Sequence, residues 1–152
     1  MKLASISPWF YIGSIGVGVL VGVLSKKWKI AVLVGYCIII FSVAVLSRVS
    51  AEKHTNNFVV FYKYQQGINE QILANIIIFI PIGALLESIT WKLLPIGFMF
   101  SVAIELSQLL FHRGMFDVDD IISNSLGIVI GVVSILLFTL SRRLFFPINS
   151  KL

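Results

Sequence analysis

The chain has 152 residues, of which 58% are hydrophobic and only 12% charged, and its mean hydropathy is +0.98. A water-soluble domain of this length has too small an interior to hide that much apolar surface, which excludes the soluble classes and indicates a membrane domain. The formal charge of +5 does not mark nucleic-acid binding, because the basic residues gather at the ends of apolar runs, as in "SKKWK" at 25–29 and "SRR" at 141–143. That placement is the pattern of cytoplasmic anchoring.

Five apolar runs follow in chain order, at about 7–25, 30–47, 72–89, 93–111 and 121–140. Each is close to the ~20 residues that a helix needs to cross ~30 Å of hydrocarbon. The expected fold is an all-α, polytopic bundle of five transmembrane helices, with 1–152 as one membrane domain. Run one follows only Lys2 and ends in "SKKWK" rather than a small-residue cleavage site, so it reads as a retained span, not a signal peptide. Pro8 after Ser7 suits its start, and Gly18 and Gly22 suit helix packing. Run two holds Cys37, the single cysteine, which rules out an intrachain disulfide or a cysteine-based metal site. Run three contains "FIPIG", where Pro81 and Gly83 interrupt the regular helical ladder and free a carbonyl. Trp9, Trp28 and Trp91 lie near span ends and read as interface anchors.

The long loop at 48–71 carries Arg48, Glu52, Lys53, His54, Lys63 and Glu70 around the aromatic stretch "NFVVFYKY" at 57–64. This stretch suits either the membrane interface or a small lid. With five spans, one side holds Lys26, Lys27, Lys29, Lys92, Arg142, Arg143 and Lys151, and the other Lys2, Arg48, Lys53, Lys63 and Arg113. Seven against five places the C-terminus in the cytoplasm and the N-terminus outside by the positive-inside rule.

Four of the seven acidic residues, Glu105, Asp117, Asp119 and Asp120, lie inside or against apolar runs four and five. Ionised groups are costly in hydrocarbon and are rarely kept there without a partner or a task. Ser101, Glu105, Gln108 and His112 have offsets of −4, 0, +3 and +7 around Glu105. At ~100° per residue they form one narrow stripe. Asp120, Asn124, Gly127 and Gly131 repeat the same offsets around Asn124. Gly127 and Gly131 form a small-xxx-small pair that admits a close backbone. Spans four and five are joined by a short turn, so their stripes are expected to face each other, in a pocket open to the outside. The structural alternative has Gln108, Glu105 and Asn124 as interhelical glue, Arg113 paired with Asp117 or Asp120, and Asp119 or Asp120 capping span five.

Together "NIIIFIPIGALL" at 75–86, the Glu105–Gln108 pair and "RGMFDVDDIISNSLGIVIG" at 113–131 resemble the VanZ-like membrane protein family. The matching residues are Asn75, Phe79, Pro81, Gly83, Glu105, Gln108, Arg113, Asp117, Asp120, Asn124 and Gly127, and the match is best over 70–131. The resemblance implies a multi-pass bacterial plasma-membrane protein linked to glycopeptide, especially teicoplanin, resistance. The favoured reading is a non-enzymatic envelope protein. Its pocket would use Asn75, Glu105, Gln108, Arg113, Asp117, Asp120 and Asn124, with Pro81, Gly83, Gly127 and Gly131 structural. Its expected partners are membrane lipids, a lipid-linked cell-wall precursor or a lipoglycopeptide, and a homo-oligomer is compatible. No cofactor is assigned and no nucleic acid is expected. The first alternative is an intramembrane enzyme on a lipid phosphate, with Glu105 as base, Asp117 and Asp120 on a divalent cation and Arg113 on phosphate. The second is a small transporter subunit.

Overall fold

In hydrocarbon every backbone N–H and C=O must find its partner within the segment, so long apolar runs become helices. The computed structural model describes residues 28–46, 58–65, 67–114 and 116–145. The expected first span at 7–25, with Trp9, Gly18 and Gly22, lies outside them. Helix α1 (Trp28–Phe41) continues into a π-helical turn, Ser42–Leu46. Short α2 (Tyr62–Gln65) is followed by α3 (Glu70–Ile89), the 3-10 turn Trp91–Leu93, α4 (Leu94–Leu110) and α5 (Val118–Phe145). Four stretches are long and apolar enough to cross a membrane: Trp28–Leu46, Glu70–Ile89, Trp91–Leu110 and Val118–Phe145. The described residues contain no strand, so the chain is an all-α polytopic membrane bundle.

Local sequence sets the ends. Asn69 caps α3 by accepting the Ile72 N–H at 3.0 Å, so the helix starts at Glu70, two residues before the start expected from hydropathy. Extended Thr90 closes α3, and Pro95 opens α4, where a missing N–H costs nothing. Helix α5 differs most from expectation. It begins at Val118 rather than 121 and runs to Phe145 rather than 140. Its 28 residues span about 42 Å, so it outreaches the hydrocarbon core. Asp119 and Asp120 lie in its first turn and Arg142 and Arg143 in its last, the charge order that complements the helix dipole. Trp28 and Trp91 are both exposed, at the end of the bundle where α1 starts and α3 meets α4.

The most extensive packing is between α3 and α5. A Cβ on Gly127 would run into the Ile76 carbonyl, one on Gly131 into the Ile80 carbonyl, and one on Gly83 into the Ile128 carbonyl. The two backbones therefore touch, with glycines supplied from both sides. The glycine pair of α5 was expected beside the stripe of α4; its close partner is α3, because α3 brings Gly83 to meet it. Pro81 leaves the Ile77 carbonyl without its usual helical donor. Next to it, the Tyr36 hydroxyl donates to the Ile78 carbonyl at 2.9 Å, which ties α1 to the interrupted part of α3. Ile40, Val45, Phe79, Ile82, Leu86, Ile104 and Ile128 fill the core between these helices.

Replacing Gly127 with leucine is expected to lower the unfolding midpoint in detergent sharply, because overpacking costs about 1–3 kcal/mol or more where backbone must move. Leu137→Ala, on the exposed face of α5, should leave the midpoint nearly unchanged. Equal effects of the two would show that the helices do not meet at the glycines.

Candidate functional site

Helices that alternate in direction bring four ends together. The end of α1, the start of α3, the end of α4 and the start of α5 share one side of the bundle, with residues 58–65 and the 111–117 turn. The acidic residues converge there. Asp117 accepts the Asp119 N–H on Oδ1 at 3.0 Å, the geometry of a helix N-cap. Its own N–H donates to Glu105 Oε2 at 3.0 Å, joining the start of α5 to α4. Its Oδ2 lies 2.8 Å from Lys63 Nζ, and the same ammonium lies 2.7 Å from Asp120 Oδ1. Gln71 Nε2 donates to Asp120 Oδ2 at 3.0 Å.

Asp119 has a different task. It accepts the backbone N–H of Phe61 at 2.6 Å and that of Lys63 at 2.7 Å. Tyr64 and Ser123 share a hydroxyl hydrogen bond of 2.8 Å. Residues 61–64 are thus strapped across the start of α5. Phe61 takes a left-handed φ of 63°, a conformation that costs an ordinary residue about 1–2 kcal/mol. The charge-assisted bonds to Asp119 offset that cost. The Lys63 side chain is only 18% exposed. Burial pulls its pKa down, but hydrogen bonds and charge from Asp117 and Asp120 outweigh this, and the net shift is upward from 10.5.

Behind this joint lies a cavity of about 330 Å³ between α1, α3, α4 and α5. Ile39, Ile40, Val43, Ala44, Ile78, Phe79 and Ile104 give it an apolar wall. Tyr36, Asn75, Glu105, Gln108, Asp120 and Asn124 supply its polar groups. Gln108 Nε2 donates to the Ala44 carbonyl in the π-helical turn at 3.3 Å, so that local widening of α1 is part of the site. Asn124 Nδ2 donates to Ser101 Oγ at 3.0 Å. Asn124 is 3% exposed, and its Oδ1 has no hydrogen-bond partner.

Of the residues singled out by sequence, Asn75, Glu105, Gln108, Asp120 and Asn124 line one cavity. Asp117 adjoins it through Glu105 rather than lining it. Arg113 is half-buried in the turn, where its N–H donates to the Gln108 carbonyl at 2.8 Å. The cation between Asp117 and Asp120 is Lys63, a loop residue that sequence reasoning counted only for topology. The N-cap of α5 is Asp117 rather than Asp119 or Asp120. His112 leaves the stripe, because α4 stops at Leu110 and His112 turns outward with a φ of 53°. Gln71 and Ser123 were also missed. Gln71 stands four residues before Asn75, so helical spacing alone would have put it on the same face. Among the described residues no three His, Cys, Asp or Glu are grouped to hold a metal ion.

Comparison with known proteins agrees with the motif pattern. The family model described as VanZ/LLP1 matches residues 27–139. The chain belongs to that family, and it is a VanZ-like, multi-pass membrane protein. No curated protein and no solved structure matches it.

Lys63→Met would remove the ammonium that bridges the buried Asp117 and Asp120, a loss of up to about 3–5 kcal/mol, the range for removing one partner of a buried pair. Residues 58–65 should then become open to hydrogen exchange while α3 and α5 stay protected; unchanged protection would contradict the joint. The pH dependence has a defined sign. The folded state holds the lysine proton more tightly than the unfolded chain, so this stabilisation is complete below pH 10.5 and fades as pH climbs through the higher folded value. Thermal midpoints of wild type should fall in that alkaline window more steeply than those of Lys63→Met.

Proposed function

We propose that this VanZ/LLP1 family member is a non-enzymatic cell-envelope protein that binds an amphiphilic molecule, a membrane lipid or lipid-linked cell-wall precursor, in the cavity behind the Lys63 joint. The observation that carries the reading is the cavity itself, apolar on one wall and polar on the other, with the lining residue Asn124 holding a buried acceptor, Oδ1, that has no partner. Unpaired buried acceptors are unusual and call for a ligand or an ordered water. The volume of about 330 Å³ falls at the lower end of the range for small-molecule sites. It suits a head group with the first part of a chain, not a whole lipoglycopeptide.

The proposed location is the bacterial plasma membrane with the cavity facing outward. Lys92, Arg142 and Arg143 are exposed at the opposite end of the bundle, while Lys63 at the cavity end is held between two carboxylates. Free basic residues favour the cytoplasmic side. On this reading the family-level link to glycopeptide resistance, teicoplanin included, follows from binding an envelope component and thereby altering what the antibiotic meets.

Two measurements test this. Val43→Trp, which fills the cavity from α1, should reduce lipid co-purifying with the protein several-fold by mass spectrometry without loss of membrane insertion. Retention equal to wild type would remove the cavity from consideration. In a glycopeptide-sensitive Gram-positive host, wild type is expected to raise teicoplanin tolerance, and Glu105→Gln and Asp120→Asn to abolish the gain at matched expression. Protection by all three would make the carboxylates structural only.

A further inference from the structure

The strap at residues 58–65 has two unlike sides. Its one charge, Lys63, turns inward to Asp117 and Asp120. Its apolar side chains stay outside: Phe58, Val59, Val60, Phe61 and Tyr62 are between 48% and 65% exposed. Five large apolar residues in a row are costly to leave in water. What lies against them follows from the face of α5 that the strap covers. Asp119, Ser123, Leu126 and Ile130 fall on one stripe of that helix, within about 60° of one another at ~100° per residue. Leu126 and Ile130 are exposed, as is Leu137 further along the same stripe, so this face of α5 looks out to lipid. At its start the stripe is closed. Asp119 and Ser123 are fully buried, bonded to Phe61, Lys63 and Tyr64 of the strap. The strap therefore occupies the place that lipid takes in the next turns of α5.

Depth agrees with this placement. From Asp119 to Arg142, α5 rises about 34 Å, close to the ~30 Å of hydrocarbon, so with Arg142 and Arg143 at one boundary the strap lies at the other. Helix α3 has 20 residues and is about 30 Å long. Its first residue, Glu70, is exposed, and Gln71 beside it bonds Asp120 at the level of the strap. The backbone also suits that depth. Non-helical segments near hydrocarbon need their polar groups satisfied by protein. The N–H groups of Phe61 and Lys63 donate to Asp119, and that of Tyr62 to the Val59 carbonyl. Those of Gln65 and Gly67 donate to the Phe61 and Tyr64 carbonyls. The Phe58 ring lies 5.6 Å from that of Phe116, which carries the patch onto the 111–117 turn.

We infer that the outer side of residues 58–62 is a lipid-binding surface, seated beside α5 where head groups meet acyl chains. Its partner is bilayer lipid of the leaflet at the Lys63 end of the bundle. The phenylalanine and valine side chains supply apolar area to the chains, and Tyr62 adds an amphipathic ring of the kind favoured at that depth. The strap is thus held from both sides, by the carboxylates within and by the leaflet without. This surface is separate from the cavity, and neither reading depends on the other.

The test uses the full-length protein with Cys37→Ala and one added cysteine bearing a nitroxide, in vesicles of phosphatidylethanolamine and phosphatidylglycerol. Oxygen, which concentrates in hydrocarbon, and a water-soluble nickel chelate each relax the label they can reach. Phe58→Cys and Val60→Cys are compared with Glu70→Cys, exposed at the start of α3, and with Leu126→Cys on the lipid-facing stripe of α5. The expected ratio of oxygen to nickel relaxation is several-fold higher at 58 and 60 than at 70, and lower than at 126. A ratio equal to that at 70 would put the strap in water and overturn the inference. Weak relaxation by both reagents would mean that protein covers the patch, a second copy or another part of this chain, and would overturn it equally. The wild-type protein gives a second reading without a label on the strap. Photolysis with a phosphatidylcholine carrying a diazirine near the head-group end of one chain should mark the peptide containing 58–62. A mark on the Leu126 peptide and none on 58–62 would contradict the lipid contact.

Discussion

The polar end of this bundle depends on one partly buried ammonium. Lys63 Nζ lies 2.8 Å from Asp117 and 2.7 Å from Asp120, and it brings positive charge to two buried carboxylates where water is scarce. The lysine must cross from a loop to reach them, and that requirement shapes what surrounds it. Its backbone N–H and that of Phe61 are clamped by Asp119, Phe61 accepts a left-handed conformation, and Tyr64 reaches Ser123. Three closely spaced acidic positions, 117, 119 and 120, thereby do different work. One caps the helix and binds the lysine, one holds the strap, and one faces both the lysine and the cavity.

A second constraint fixes where that cavity can be. Helices α3 and α5 touch through Gly83, Gly127 and Gly131, so nothing fits between them at that level. Helix α4 is joined to α5 by polar bonds as well as by core packing, Asn124 to Ser101 and Asp117 to Glu105. Helix α1 is attached through the Tyr36 hydroxyl and through the Ala44 carbonyl of its π-helical turn. Space remains where the glycine contact ends and α1 stands off, and Asn75, Glu105, Gln108, Asp120 and Asn124 look into it. Close packing on one seam and hydrogen-bonded attachment elsewhere give a site with fixed walls and an unpaired acceptor.

Much of this was legible in the sequence because hydrocarbon makes a few rules strict. Runs of apolar residues placed the four described spans, and the cost of charge singled out Glu105, Asp117 and Asp120 before any geometry was known. Helical spacing correctly grouped Ser101 with Glu105 and Gln108, and Asp120 with Asn124 and the glycines. Spacing failed where a helix ended, so His112 was carried onto a face that α4 does not extend to. It also could not say which helix would meet Gly127 and Gly131, since that depends on a glycine supplied by α3. Lys63 was the largest omission. It sits in an aromatic loop without period, and its partners lie more than fifty positions away, so no local pattern joins them. Choosing between Asp117 and its neighbours as the cap likewise required the backbone.

The most direct test of the account is a double-mutant cycle between Lys63→Met and Asp120→Asn, with unfolding free energies measured in mixed micelles. If the ammonium and the carboxylate hold the polar end together, the two losses will be strongly non-additive, with a coupling of about 1–3 kcal/mol and the double variant more stable than the sum of the singles predicts. Additive losses would mean that Lys63 and Asp120 act independently, and the joint described here would not be what closes the site.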